Sequence, residues 1–390
     1  MKSFKLMLIL DDYLTNIVHK GEVVANYYNP GNIFNEVHII LINNDYISEN
    51  SFEFNEIQKM VGTAKLFIYN FPKPSFFKTF GWNIFMGVWY HKALKLAEEI
   101  EPDVVRTYNN FLDAYLAYII KNNMKIPYII SLHDSTRFGM LDFKGKLKLL
   151  VLNRKINLCM KNANKIIAVY YSIFDYANQY NDKVTHLLYN SVNVKFISRK
   201  VDYDIDCENK LHLLNINRQI KGKNPKNIIK AISNLNCDLT IIGDGALHID
   251  LIKIADKNTS GKVFFIKNIP NNILCSRLFN YDLLVSNCDY VGISKSIIEA
   301  AWAGLPIIIN KQIGNMKDFE GNWVYICEDT EDSYRDAILE FANSKKLREE
   351  YGKRAYEHAK KYFDAETIKK ETIKIYYEVI NKSVNAEVTI

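Results

Sequence analysis

The chain has 390 residues, of which 48% are hydrophobic and 13% aromatic, and its formal net charge is +6. That length exceeds one ordinary core and suits two domains of similar size, while the composition excludes low-complexity, collagen-like and disordered chains. The mildly positive balance suits anionic small molecules or anionic lipid rather than nucleic acid.

Six cysteines, Cys159, Cys207, Cys237, Cys275, Cys288 and Cys327, lie scattered without CxxC pairs or zinc-spaced histidines. They read as buried thiols in a reducing compartment. The opening run "FKLMLIL" at 4–10 is followed by acids and by no small-residue cleavage site, which predicts a first strand rather than a signal peptide. No stretch reaches the length needed to span a bilayer, so a cytosolic protein is expected.

Further apolar, β-rich runs follow at 36–42, 64–70, 103–109, 127–133, 165–170 and 184–190. Amphipathic stretches such as "WYHKALKLAEEI" and "LDAYLAYIIKNN" separate them. Such alternation predicts a parallel sheet flanked by helices. The polar, acidic segment 201–210 reads as a linker. A second alternating series begins with "LHLLNIN" and continues through "DLTIIGDG", "KVFFIKNI", "YDLLVSN", "LPIIIN" and "WVYICE", before a helical tail broken near Phe363. Two doubly wound domains in tandem are expected, with a ligand at the carboxyl ends of the strands.

The sharpest chemistry lies in the second half. In "NRQIKGKNPKNIIKAI", Arg218 ends a strand and Lys223 precedes a helix that Asn224 is expected to cap, with Pro225 in the first turn. Two cations at a positive helix end suit a pyrophosphate, because guanidinium grips two oxygens and ammonium acts as a mobile charge. A solvated turn carrying Lys221, Lys223 and Lys226 is the bland alternative. The GDG of 243–245 is by itself an ordinary turn signal. In "SNCDYVGISKSIIEAAWAGLPIIIN", Ser294, Lys295 and Ser296 open a second helix, and Glu299 is placed to accept hydrogen bonds from a ribose diol or to close a capping box with Ser296.

The order of "NRQIKGKNP", "IIGDG" and "GISKSIIEAAWAGLPIII" resembles the carboxyl-terminal half of family 4 of the retaining, nucleotide-sugar-dependent glycosyltransferases. "DVVRTYNNFLDAYLAYIIKNNMKIPYIISLHD" and "LLYNSVNVKFI" extend the resemblance to nearly the whole chain. It implies a GT-B α/β fold: two Rossmann-like domains facing a central cleft. The boundaries would be 1–198 for an acceptor domain, 199–365 for a nucleotide-sugar domain and 366–390 for a helix returning to the first. It also implies roles. Arg218 and Lys223 would bind the donor diphosphate, Glu299 the ribose hydroxyls, and Ile293, Ser294, Lys295 and Ser296 the phosphate and sugar. Asn268 and Ile269 would lie against the base, Gly21 would belong to a loop closing on the donor, and His133 would face the transferred sugar.

The implied reaction is metal-independent transfer from a nucleoside diphosphate sugar, UDP being favoured over GDP, to a glycan or lipid-linked hydroxyl. No cofactor and no bound metal are expected. Positive charge stabilises the departing diphosphate, and that phosphate helps to deprotonate the acceptor. Two departures stand out: Val291 occupies the position of a second family glutamate, and Asn217 replaces a glycine. Either Asp289 substitutes through a shifted loop, or the donor sugar lacks a polar group at that face, or catalysis is weakened; Asn tolerates unusual backbone conformations. A nucleotide-sugar epimerase-like enzyme and a non-catalytic nucleotide-sugar-binding partner, the latter suggested by Val291, remain the alternatives. The aromatic stretch 71–94 and the basic stretch 137–158 leave open contact with an anionic membrane, against an ordinary core helix and a solvated face.

Overall fold

The computed structural model describes residues 3–74, 82–133, 143–205 and 210–387. It divides into two compact units: one of Met1–His19, Val23–Tyr189 and Glu366–Ile390, the other of Lys20–Glu22 and Asn190–Ala365. The first contains β1 (Lys5–Leu10), α1 (Leu14–His19), β2 (Glu36–Leu41), α2 (Phe52–Val61), β3 (Lys65–Asn70), α3 (Trp82–Ile100) and β4 (Val104–Thr107). It continues with α4 (Leu112–Met124), β5 (Tyr128–Leu132), α5 (Phe143–Asn162), β6 (Lys165–Ala168), α6 (Tyr171–Asn181) and β7 (Thr185–Leu187).

The seven strands form one sheet in the order β3-β2-β1-β4-β5-β6-β7, every pairing parallel. Continuous apolar runs are what a sheet covered on both faces requires. In β1, Met7 and Ile9 enter one core with Trp89, Ala93, Leu116 and Ile156. Leu6, Leu8 and Leu10 point the other way, into a core with Leu14, Ile57, Tyr376 and Ile380, as the two-residue repeat of a strand demands. The aromatic stretch 71–94 therefore supplies core in its described part, since Trp89 and Met86 are buried; residues 75–81 lie outside the described residues, as do 137–142 of the basic stretch.

The second unit contains β8 (Leu211–Ile216), α7 (Lys226–Ala231), β9 (Cys237–Ile242), α8 (His248–Asn258), β10 (Val263–Ile266), α9 (Asn271–Arg277) and β11 (Leu283–Ser286). Then come α10 (Lys295–Trp302), β12 (Ile307–Asn310), β13 (Tyr325–Cys327), α11 (Glu331–Asn343) and α12 (Lys345–Tyr362), and the chain ends in α13 (Ala365–Glu387), most of which is counted with the first unit. Its six strands run in the order β10-β9-β8-β11-β12-β13, again parallel throughout. Strand order reverses between β8 and β11. A doubly wound sheet binds ligands outside the carboxyl ends of its strands at that reversal, and the two segments richest in candidate residues leave β8 and β11.

The acidic segment expected to be a linker is anchored where it is described. Tyr203 is buried and its hydroxyl donates to Gly304 O at 2.9 Å, while Lys345 Nζ donates to Asp204 at 2.6 Å. The five described cysteines are buried and free; Cys207 lies outside the described residues. No described helix is long and apolar enough to cross a membrane.

Helix α13 also satisfies a buried charge. Arg106, on β4, is 7% exposed; its Nε donates to Ser131 Oγ at 2.9 Å and its Nη1 to the Tyr376 hydroxyl at 3.0 Å. Its guanidinium lies 4.9 Å from the Tyr108 ring centroid. Losing one acceptor strands a buried cation, so Tyr376→Phe is expected to cost about 2 kcal/mol in urea unfolding. An unchanged midpoint would show that the hydroxyl is dispensable to Arg106.

Candidate functional site

The turn after β8 is seated by buried amides. Asn217 N donates to Ile242 O at 3.0 Å, and Asn217 Nδ2 to Asn287 O at 2.8 Å. Asn287, itself buried, accepts from Asn224 N through Oδ1 at 2.8 Å and donates through Nδ2 to Asp329 at 3.0 Å. Gly222 O accepts from Asp289 N at 2.9 Å. The loop leaving β11 thus clamps both ends of the segment that carries Arg218 and Lys223.

Between those ends, Gln219 is fully buried beneath exposed Arg218. Its Nε2 donates to Gly243 O at 2.7 Å, which orients the amide so that His248 Nδ1–H donates to Oε1 at 2.7 Å. The GDG turn makes room for this. A Cβ on Gly243, at φ +137°, would fall 2.0 Å from Asn217 O, and one on Gly245 would fall 2.4 Å from Gln219 O. Only glycine permits backbone to meet backbone there. What reads in the sequence as an ordinary turn signal is a packing requirement of the arginine turn.

Of the three lysines, Lys221 and Lys226 are exposed, while Lys223 is half-buried with its Nζ 5.8 Å from the Tyr290 ring centroid. The cap differs by one position from expectation. Pro225 takes the cap site of α7, and Asn224 Oδ1 accepts from Lys226 N at 3.2 Å, doing the same work from one residue further out.

Ser294 caps α10, its Oγ accepting from Ile297 N at 3.4 Å and lying 2.8 Å from Ser296 Oγ. Ser296 Oγ reaches Ile216 O, the last residue of β8, at 3.5 Å. The amino end of α10 and the start of the arginine turn are therefore neighbours at the strand reversal, and a helix amino end favours an anion. Ile293 is buried below them. Asn268, exposed, and Ile269, half-buried, follow β10 on the same side of the sheet.

Glu299 does not close a capping box with Ser296. It is 4% exposed, and its Oε1 accepts from Asn271 Nδ2 at 2.9 Å. Burial pushes its carboxyl up to about 7, against the opposing pull of the Asn271 hydrogen bond and of Lys295. Lys295 Nζ donates to Glu22 Oε2 at 2.9 Å. Gly21, at φ +66°, packs on α9 so closely that a Cβ would lie 3.3 Å from Asn271 N, and Lys20 O accepts from that N–H at 2.9 Å. Asn271, Glu22, Gln219 and Asn287 were not singled out in the sequence, where each is a common polar residue without a motif.

Val291 is buried, its N–H donating to Ile313 O at 3.2 Å, and neighbouring Asp289 is exposed. His133 belongs to the first unit, at the carboxyl end of β5, half-buried and stacked on Tyr108 with centroids 5.4 Å apart.

Residues 205–358 match the family described as Glycosyl transferases group 1. An uncharacterized glycosyltransferase of Methanocaldococcus jannaschii is 23% identical over 98% of this chain and 100% of its own length. N-acetyl-alpha-D-glucosaminyl L-malate synthase of Bacillus anthracis is 21% identical over 76% of this chain and 80% of its own. Among solved structures, Anabaena HepE in complex with UDP superposes with a TM-score of 0.73 at 13% identity, covering 96% of this chain and 100% of that one. The fold is GT-B.

A folded-state carboxyl raised from 4.5 to about 7 costs stability as pH rises between those values, and the whole cost is present above pH 7. Glu299→Gln is therefore expected to raise stability at pH 8 by on the order of 3 kcal/mol, with the gain vanishing near pH 4.5. Melting curves at both pH values check this; a gain independent of pH would remove the ionised carboxylate as its cause.

Proposed function

We propose that this chain, whose residues 205–358 carry the group 1 family match, is a glycosyltransferase performing retaining transfer of a sugar from a nucleoside diphosphate, UDP favoured, to a hydroxyl of a glycan or lipid-linked acceptor. The observation that carries the reading is the seating of the Arg218–Lys223 turn against the amino end of α10 at the strand reversal, through Asn287 and Ser296. The choice of UDP draws support from Anabaena HepE, a fold relative in complex with UDP. An N-acetylglucosaminyl malate synthase among the relatives keeps small hydroxyl-bearing acceptors within the class.

In this reading Arg218, Lys223 and the N–H groups at Ser294 to Ser296 hold the diphosphate. As the bond from anomeric carbon to phosphate oxygen breaks, they take up the negative charge that collects on the leaving group. The acceptor hydroxyl attacks from the same face, and its proton passes to the departing phosphate, so that no side chain serves as nucleophile and no metal is needed. Glu299 accepts from the ribose hydroxyls, Asn268 and Ile269 flank the base, and His133 orients the transferred sugar.

A diphosphate that binds the native state raises the melting temperature. Arg218→Ala is expected to abolish the shift that UDP produces in wild-type protein while leaving the melting temperature of the unliganded protein unchanged, because Arg218 is exposed. An undiminished shift would take the arginine out of the site. Incubation with a panel of nucleotide sugars should give slow release of UDP, insensitive to EDTA. Interconversion of the sugar would instead indicate an epimerase, and tight binding without turnover a non-catalytic partner, the outcome that buried Val291 favours.

A further inference from the structure

We propose that Asn271 is a positioning residue for Glu299: its side-chain amide holds one carboxylate oxygen so that the carboxylate is presented to the hydroxyls of a bound ribose. This rests on the reading of Glu299 as the ribose acceptor and adds the residue that makes it competent.

The backbone N–H of Asn271 and both ends of its side-chain amide are engaged. Its backbone N–H donates to Lys20 O at 2.9 Å, its Nδ2 donates to Glu299 Oε1 at 2.9 Å, and its Oδ1 lies 3.7 Å from the thiol Sγ of Cys275. The amide cannot turn over without losing contacts at both ends. Its backbone is fixed as well. Asn271 opens α9, which buries Leu274 and Cys275 and runs on into buried Leu278, and Gly21 packs against its first N–H. Glu299 sits in the middle of α10 between buried Ile298 and Ala300, where little water can orient it.

The identity of the donor matters. The charged and titratable groups facing Glu299 are Lys295 on its own helix, Glu22 from the Lys20–Glu22 segment and Cys275 on α9. Lys295 is drawn into an ion pair with Glu22. An arginine at 271 would engage both oxygens as a fork and leave nothing for a sugar hydroxyl. A neutral amide fixes one oxygen and leaves the charge and remaining lone pairs available to O–H donors. Ribose supplies two such donors side by side, and a deoxyribose one.

The test compares UDP with 2′-deoxy-UDP, and GDP with 2′-deoxy-GDP, by calorimetry at pH 8 on full-length wild-type, Asn271→Leu and Asn271→Asp proteins. Wild type is expected to prefer the ribo form by roughly tenfold or more, the range for a hydrogen bond to a charged group. Both variants should lose most of that preference, with binding of the ribo form weakened several-fold more than that of the deoxy form, which offers Glu299 one hydroxyl instead of two. Leucine offers no donor, and aspartate, matched in shape, faces Glu299 with a like charge. A purely structural role would weaken both forms alike. If wild type binds neither diphosphate, or binds the two sugar forms equally, the assignment of Glu299 fails and this inference with it. If wild type discriminates and the folded variants discriminate as well, the inference alone is overturned. If neither variant melts cooperatively, Asn271 is a fold determinant and the positioning role is likewise rejected.

Discussion

The second unit depends on the burial of polar side chains beneath its positively charged turn. Asn287 and Gln219 are each at most 2% exposed, and each both donates to and accepts from a different segment. A buried amide costs several kcal/mol when unpaired and little when satisfied. The turn after β8 therefore has few alternatives: moving it by one residue would leave Asn287 Oδ1 and Gln219 Oε1 without partners. Charge is displayed from a rigid base, so that binding a diphosphate would require little further ordering.

Glu299 shows the opposite balance. Its burial works against its ionised form, and Asn271 offsets only part of that. A buried carboxylate whose charge its surroundings only partly offset fits the ribose-binding role proposed for it. The buried Lys200–Asp282 pair, at 3.2 Å, is different, because each partner answers the other within the unit and nothing remains to be completed from outside.

How far these features can be read from the sequence follows from their physical range. The strands were legible because a parallel sheet covered on both faces needs unbroken apolar runs, and "LMLIL" or "PIIIN" admits few other uses. The start of α10 was legible because the Ser294 cap acts over three residues. Contacts that join distant segments leave no periodic trace: Gln219 meets His248 29 positions away, Asn271 meets Glu299 28 away, and Lys295 meets Glu22 273 away. Polarity misled in one place. Residues 201–205 are polar and acidic as linkers are, yet one aromatic ring, Tyr203, fastens them to the second unit.

The last helix has a consequence for how the molecule comes into being. Ile375, Tyr376, Val379 and Ile380 complete a face of the first sheet, whose other members lie more than 180 residues earlier. During synthesis those strands are made long before Tyr376, the hydroxyl partner of Arg106. The second unit, continuous from Asn190 to Ala365 apart from the short Lys20–Glu22 piece, has all of its strands in hand before that moment. Domains usually mature in the order in which they are translated; here every strand of the later unit is translated before the helix that completes the core of the earlier one.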